Sequence, residues 1–235
     1  DQGMKAYWAL GTDPNFGDVL TPLLFDRLGA IKLEWVEREE AELFGAGSIA
    51  ELIPRGFTGT VIGTGCMFPE PIELDAADVL ALRGVLTARL AGLHPPLLAD
   101  LGLLAPDLAP RIHRRRDIPV GTVRAGGDPR PPIGLRLDPL GKPEQLIGDA
   151  ARCRRIVSSS LHGLILADAL GIQNMWDPCP PTDAGDGFKF RDYASAFGER
   201  IEPYRWRLAD QRQVAEKQAA LRDIVTSLST AARNR

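Results

Sequence analysis

One of the three histidines in the chain, His162, stands in the stretch VSSSLHGLILADALGIQ (157–173), between three serines and a glycine. The serines end a β-branched run and the glycine opens an apolar helical one. His162 therefore falls in the first turn of a helix that follows a strand. Unpaired N–H groups at a helix start favour anions and disfavour an imidazolium. A neutral imidazole beside an anion-friendly pocket suits a general acid or base working near neutral pH. A structural histidine is the alternative. Against it, small polar side chains are wasted at the end of a buried strand unless they face a ligand. Asp168, six residues on, lies on another face of the helix and is no partner for His162.

Three further stretches carry chemistry-bearing residues at element junctions. GTDPNFGDVLTPLL (11–24) runs from a strand through a polar loop holding Asn15 and Gly17 into a helix that begins near Asp18. It forms either an anion site or a turn capped by Asp18 or Asn15. It is neither a dinucleotide fingerprint nor a P-loop. In ALRGVLTARL (81–90), Arg83 precedes a helix; its planar guanidinium suits bidentate binding of phosphate or carboxylate, with an ordinary salt bridge as the alternative. In DGFKFRDYASAFG (186–198), Lys189, Arg191 and Asp192 follow a Gly/Pro/Asp loop and either close over an anionic substrate or form a solvated helix start. FGAGS and IGTG place glycines after strands, where a ligand or another backbone segment approaches closely.

Positioning these groups takes a regular alternation of strands and helices. KAYWAL (5–10) reads as a strand, and Leu20, Leu23, Leu24 and Leu28 mark a helix from about Asp18 to Leu28, stopped by Gly29. EWVE, LFGAGS and TVIGTG continue the strands, VLTARLAG is a helix, and LLADLGLLAP closes this half. PRIHRRRDIP (110–119) is a charged, proline-bracketed break, either a linker or a solvated turn. The rhythm then resumes with PIGLRL, KPEQLIGDAARC, RIVSSS, LHGLILADALG, IQNMW and FKFRDYASAFG. A last helix, from about Arg207 to Ala232, carries Val214, Leu221, Val225 and Leu228 as one apolar stripe. The pattern predicts an α/β protein with mostly parallel, doubly wound sheets: one lobe over 4–110, another over 118–206, and a helix over 207–235 packing back on the first lobe.

The bulk numbers are those of a globular chain. There are 235 residues, 44% apolar and 25% charged, with net charge −3. That balance argues against a broad attraction to nucleic acid. No apolar run approaches the roughly 20 residues of a membrane span. Cys66, Cys153 and Cys179 fit neither a disulfide framework nor a zinc site, so reduced thiols in a cytoplasmic protein are expected. The residues before Met4 read as an appended remnant.

NFGDVLTPLLFDRLG, LFGAGSI, LRGVLTARL and CRRIVSSSLHGLILADALGIQNMW, followed by FKFRDYASAFG, together resemble the polysaccharide pyruvyltransferase family, in order and from about Lys5 to Gly198. The resemblance implies two Rossmann-like lobes in a GT-B-like arrangement. It implies phosphoenolpyruvate as donor substrate, no cofactor and no metal, and a pyruvate ketal formed on two hydroxyls of a sugar or glycan, including a lipid-linked one at the inner face of the membrane. A homo-oligomer is compatible with it. His162 is then expected to transfer the proton, with Asp18 as the complementary carboxylate. Arg83, Arg136, Ser160, Leu161, Gly163, Lys189 and Arg191 are expected around the donor anions, and Asn15 and Gly17 in the binding loop. Some members carry arginine two residues before the histidine; this chain has Ser160, and Arg136 is the candidate substitute. The alternatives are a GT-B glycosyltransferase using a nucleotide sugar and a shortened, non-catalytic relative that binds glycans.

Overall fold

Among the described residues, ten strands sort into two sheets of five. The computed structural model describes residues 3–11, 15–109, 111–113, 115–179 and 184–234. The first sheet uses β1 (Lys5–Tyr7), β2 (Glu34–Trp35), β3 (Leu43–Phe44), β4 (Thr60–Thr64) and β5 (Asp78–Leu82), all parallel, in the order β2-β1-β3-β4-β5. The second uses β6 (Ile118–Val123), β7 (Leu135–Leu137), β8 (Cys153–Ser158), β9 (Gln173–Trp176) and β10 (Trp206–Arg207), in the order β10-β9-β8-β6-β7. Only β10 runs antiparallel, against β9.

Counted from its own first strand, each sheet has the order 2-1-3-4-5. In such doubly wound sheets the chain leaves the first strand toward one side and later continues on the other. A crevice opens where the order reverses, beyond the carboxyl ends of the strands. The first sheet reverses between β1 and β3, the second between β6 and β8.

Local sequence explains the helices that set these ends. In α1 (Leu20–Gly29), Leu20, Leu24 and Phe25 bury one face, and Ala30 terminates the helix in the left-handed region at φ 50°. The helix starts two residues later than the sequence predicts, because residues 15–18 close a turn of their own. Pro143 opens α3 (Pro143–Ala151), where a missing N–H costs nothing. Ser160 precedes α4 (Leu161–Ala169), so His162 is the second residue of that helix. Asp210 caps α6 (Gln211–Arg233) by accepting from the N–H groups of Arg212 and Gln213.

One apolar core runs through both halves. The 3₁₀ segment Leu101–Leu108 packs against α1, α4 and α6 and carries fully buried Leu101, Leu103 and Leu104. The last helix, α6, lies back across α1, burying Val214, Leu221 and Val225. Arg222 fixes its pitch through paired bonds of 2.6 and 2.9 Å to Asp107. Among the described residues, no helix is long and apolar enough to cross a membrane.

A second contact between the halves is polar. Arg83, after β5, is fully buried and donates to Asp192 Oδ2 at 2.9 Å, Ser48 Oγ at 2.7 Å and the Cys66 carbonyl at 2.5 Å. Asp192 belongs to α5 (Phe188–Ser195) and also accepts from the Thr87 N–H and hydroxyl in α2 (Val85–Leu90). Gly84 is required here, since a methyl group on it would lie 1.8 Å from the Asp192 carbonyl oxygen. The LRG and FRDY stretches are thus two sides of one clasp.

Candidate active site

A cavity of about 260 Å³ lies where the two reversal points face each other. From the first sheet it is lined by Asn15 and Asp18, before α1, and by Gly47 and Ser48, after β3. From the second come Arg124, after β6, and Ser160, Leu161 and His162, at the start of α4. Ala125, Gly126, Met67, Pro139 and Lys189 complete the wall. A larger cavity of about 400 Å³ sits at the amino ends of the first sheet, beside Met4, Glu42, Asp78 and Leu228. Its ionisable lining is acidic, the wrong sign for a phosphate or carboxylate ligand.

The loop before α1 holds itself. Asn15 Oδ1 accepts from the Gly17 N–H at 2.9 Å, and Asp18 Oδ2 accepts from the Asn15 N–H at 3.2 Å. Gly17 lies against the imidazole; a methyl group there would come within 2.0 Å of His162 Nδ1. Burial pushes the Asp18 carboxyl above its ordinary value, offset in part by the Asn15 N–H and by the nearby charges of His162 and Lys189. A carboxyl held this way keeps its proton to higher pH, as proton-transfer work demands.

His162 is 13% exposed, and its Nε2 is buried with no hydrogen-bond partner. The nearest carboxylate oxygen is Asp100 Oδ1, at 3.7 Å. Asp100 ends the extended segment before Leu101–Leu108 and caps it through a 2.7 Å bond from the Gly102 N–H.

The serines divide their work. Ser158 and Ser159 are fully buried and bonded internally: Ser158 Oγ to the Ser160 carbonyl at 2.7 Å, and Ser159 Oγ to Asp128 Oδ2 at 2.7 Å. Ser159 also accepts from the Ala125 N–H and so pins one wall of the cavity. Only Ser160 of the three lines it, and no side chain caps the α4 start. That leaves an uncapped helix N-terminus open to an anion.

Of the residues singled out in the sequence, His162, Asp18, Asn15, Ser160, Leu161 and Lys189 line the cavity, and Gly17 abuts the imidazole. Four stand elsewhere. Arg83 is consumed by the clasp and reaches the wall only through Ser48. Arg136 is an exposed residue within β7, whereas the cavity is walled by residues beyond the strand ends. Arg191 is exposed and donates to the Asp186 carbonyl at 2.6 Å; two positions past Lys189, it faces away round the helix. Gly163 is buried in helix–sheet packing, where a Cβ would meet Ser158 Oγ and Val123.

Among the residues not singled out in the sequence, two ionisable ones stand at the site: Asp100, beside His162, and Arg124. The Arg124 guanidinium bonds to Asp177 Oδ2 at 2.5 Å and the Pro131 carbonyl at 3.0 Å, while its buried Nε has no partner. Arg130 bridges Asp128 and Asp177 behind it and holds the Asp128 carboxyl well below the usual carboxylate range. The legible signal for Arg124 was GTVRAGG, an arginine ending a β-branched run before two glycines. Among the described residues, no group of three or more His, Cys, Asp or Glu is placed to hold a metal ion.

No family model and no solved structure matches the chain. It is similar to the succinoglycan biosynthesis protein ExoV of Rhizobium meliloti (strain 1021), with 30% identity over 217 residues, 86% of this chain and 67% of that protein. It is also similar to the uncharacterized protein L143 of Acanthamoeba polyphaga mimivirus, with 39% identity over 75 residues, 31% of this chain and 25% of that one. On a likeness that runs through most of this chain and two thirds of ExoV, the chain belongs to the polysaccharide pyruvyltransferase family.

Proposed function

We propose that the chain transfers the pyruvyl group of phosphoenolpyruvate to two hydroxyls of a sugar, forming a ketal and releasing phosphate. The observation that carries this reading is the composition of one cavity wall: an imidazole and a raised carboxyl beside Lys189, Arg124 and an uncapped helix start. Phosphoenolpyruvate bears both a phosphate and a carboxylate, and cationic donors with helix N–H groups suit such a ligand.

The chemistry asks for three proton transfers. One sugar hydroxyl attacks C2 of the enol phosphate and gives up its proton to a base, while C3 gains a proton and the double bond is lost. The second hydroxyl then attacks C2, the C2–O bond to phosphate breaks, and inorganic phosphate leaves with the bond's electron pair; the second hydroxyl's proton is lost with it. In this reading His162 and Asp18 are the acid–base pair. Lys189, Arg124 and the N–H groups of Leu161 and His162 hold the donor anions. Arg124, beyond β6, supplies the charge that the position of Ser160 lacks.

A glycan acceptor of exopolysaccharide assembly, including a lipid-linked one presented at the cytoplasmic face, belongs to the same proposal. So does a GT-B-like arrangement of the two halves; the shared strand order and the cavity between the carboxyl edges support it.

Thermal-shift measurements with phosphoenolpyruvate and with a set of nucleotide sugars test the donor. Stabilisation by phosphoenolpyruvate, weakened in Lys189→Ala and Arg124→Ala, is expected. Stabilisation by a nucleotide sugar alone would sink the pyruvyl reading in favour of glycosyl transfer.

A further inference from the structure

We infer that Asp100 is a positioning residue for His162: its carboxylate keeps the imidazole proton on Nε2 and leaves Nδ1 as the basic nitrogen. Asp100 Oδ2 and His162 Nε2 are both buried and both without a hydrogen-bond partner, and Nε2 lies 3.7 Å from Asp100 Oδ1, the oxygen that also accepts from the Gly102 N–H. Buried polar atoms are nearly always satisfied, so two unpartnered atoms on neighbouring side chains need a reason. A separation of 3.7 Å is too long for a hydrogen bond and short enough to close by a small ring movement. Hydrogen bonds within catalytic groups are often long before substrate binds.

The surroundings fix which way the ring is used. Its Cδ2 edge packs over Gly102, next to the Asp100 cap. The Nδ1 edge abuts Gly17, where any side chain would collide with that nitrogen. A carboxylate behind Nε2 selects the Nε2–H form and stabilises the imidazolium that forms when Nδ1 takes a proton. Asp100 also has an ordinary structural duty as the cap of Leu101–Leu108, and the test has to separate the two.

Asn in place of Asp100 does so. Asp100→Asn keeps an oxygen for the Gly102 N–H, replaces the unpartnered Oδ2 by an amide donor and removes the carboxylate charge, so the cap survives while the preference for the Nε2–H form is lost. The chain has three histidines, and the other two, His94 and His113, are exposed, so the His162 ring signals are identified by their loss in His162→Ala. Long-range nitrogen–proton spectra at mildly alkaline pH should show the Nε2–H form in the wild type and no such preference in Asp100→Asn, with Tm nearly unchanged. The kinetic arm rests on the pyruvyl-transfer reading: kcat should fall roughly 10²-fold or more with little change in KM for phosphoenolpyruvate. A wild-type ring protonated on Nδ1 overturns the inference whether or not the variant folds. Unaltered kcat and ring signals in Asp100→Asn overturn it too, leaving Asp100 a cap alone. Should no turnover with phosphoenolpyruvate be found at all, the donor reading fails while the tautomer spectra still decide the role of Asp100.

Discussion

At the scale of single residues, the account turns on two ionisable groups held out of water, and both make measurable predictions. His162→Ala should lower kcat by roughly 10²–10⁴-fold, the range for a lost acid–base group, while phosphoenolpyruvate still stabilises the protein. Asp18 acts on stability as well. Its carboxyl is raised by burial, so ionising it costs the folded state more than the unfolded one. That cost sets in as pH climbs past the ordinary 3.8 toward the raised native value, and it stays in force at neutrality. Asp18→Asn removes it: the Tm advantage of the variant over wild type should be absent at low pH and grow toward neutral pH, while activity falls. Gly17→Ala should leave the helices intact and still abolish turnover, since its methyl collides with His162. His162, Asp18 and Lys189 were legible because each stands at a strand–helix junction marked by local sequence. Arg83, expected at the donor anions or in an ordinary salt bridge, takes the salt bridge, and its partner was not legible: Asp192 lies 109 residues away, and nothing local announces a buried ion pair.

Among the elements, β6 decides how much of the site could be read. It is central in the second sheet, yet Ile118–Val123 contains Pro119 and Gly121, residues that argue against a central strand. Pro119 lies near the strand's start, where it is exposed, and Gly121 sits against Leu137 and Cys153, where a Cβ would crowd both. With β6 unread, Arg124 at its carboxyl end is not placed at the site, although an arginine before two glycines marks it. Asp100 was hidden in the same way, in a leucine-rich run that reads as core. The helices were legible, because buried residues recur at helical spacing in α1 and α6, and the apolar run of α4 lies between a serine-ended strand and Gly171. The clasp between α2 and α5 carries its own prediction. Arg83 and Asp192 are both fully buried, and removing one partner strands the other charge. Asp192→Ala should cost about 3–5 kcal/mol in urea unfolding, far more than a surface substitution.

For the molecule as a whole, two sheets of like strand order are joined by a shared core and a buried clasp. Alternation of strands and helices pointed to the sheets; the joint between them, made by Leu101–Leu108 and by Arg83 with Asp192, depends on contacts that local pattern does not encode. A shared core predicts cooperative behaviour. Calorimetry should give one unfolding transition, and a fragment holding only 118–206 should not fold, because α4 would lose the leucines of Leu101–Leu108. The same joint fixes the two reversal points face to face, and the cavity between them is where the account places the reaction. Its most direct test is incubation with phosphoenolpyruvate and a panel of hexose-containing oligosaccharide acceptors, following inorganic phosphate and the acceptor's mass together. The account predicts phosphate release matched by an added pyruvate ketal, both lost in His162→Ala. Sugar transfer from a nucleotide donor without phosphate release from phosphoenolpyruvate, or full activity in His162→Ala, would contradict it.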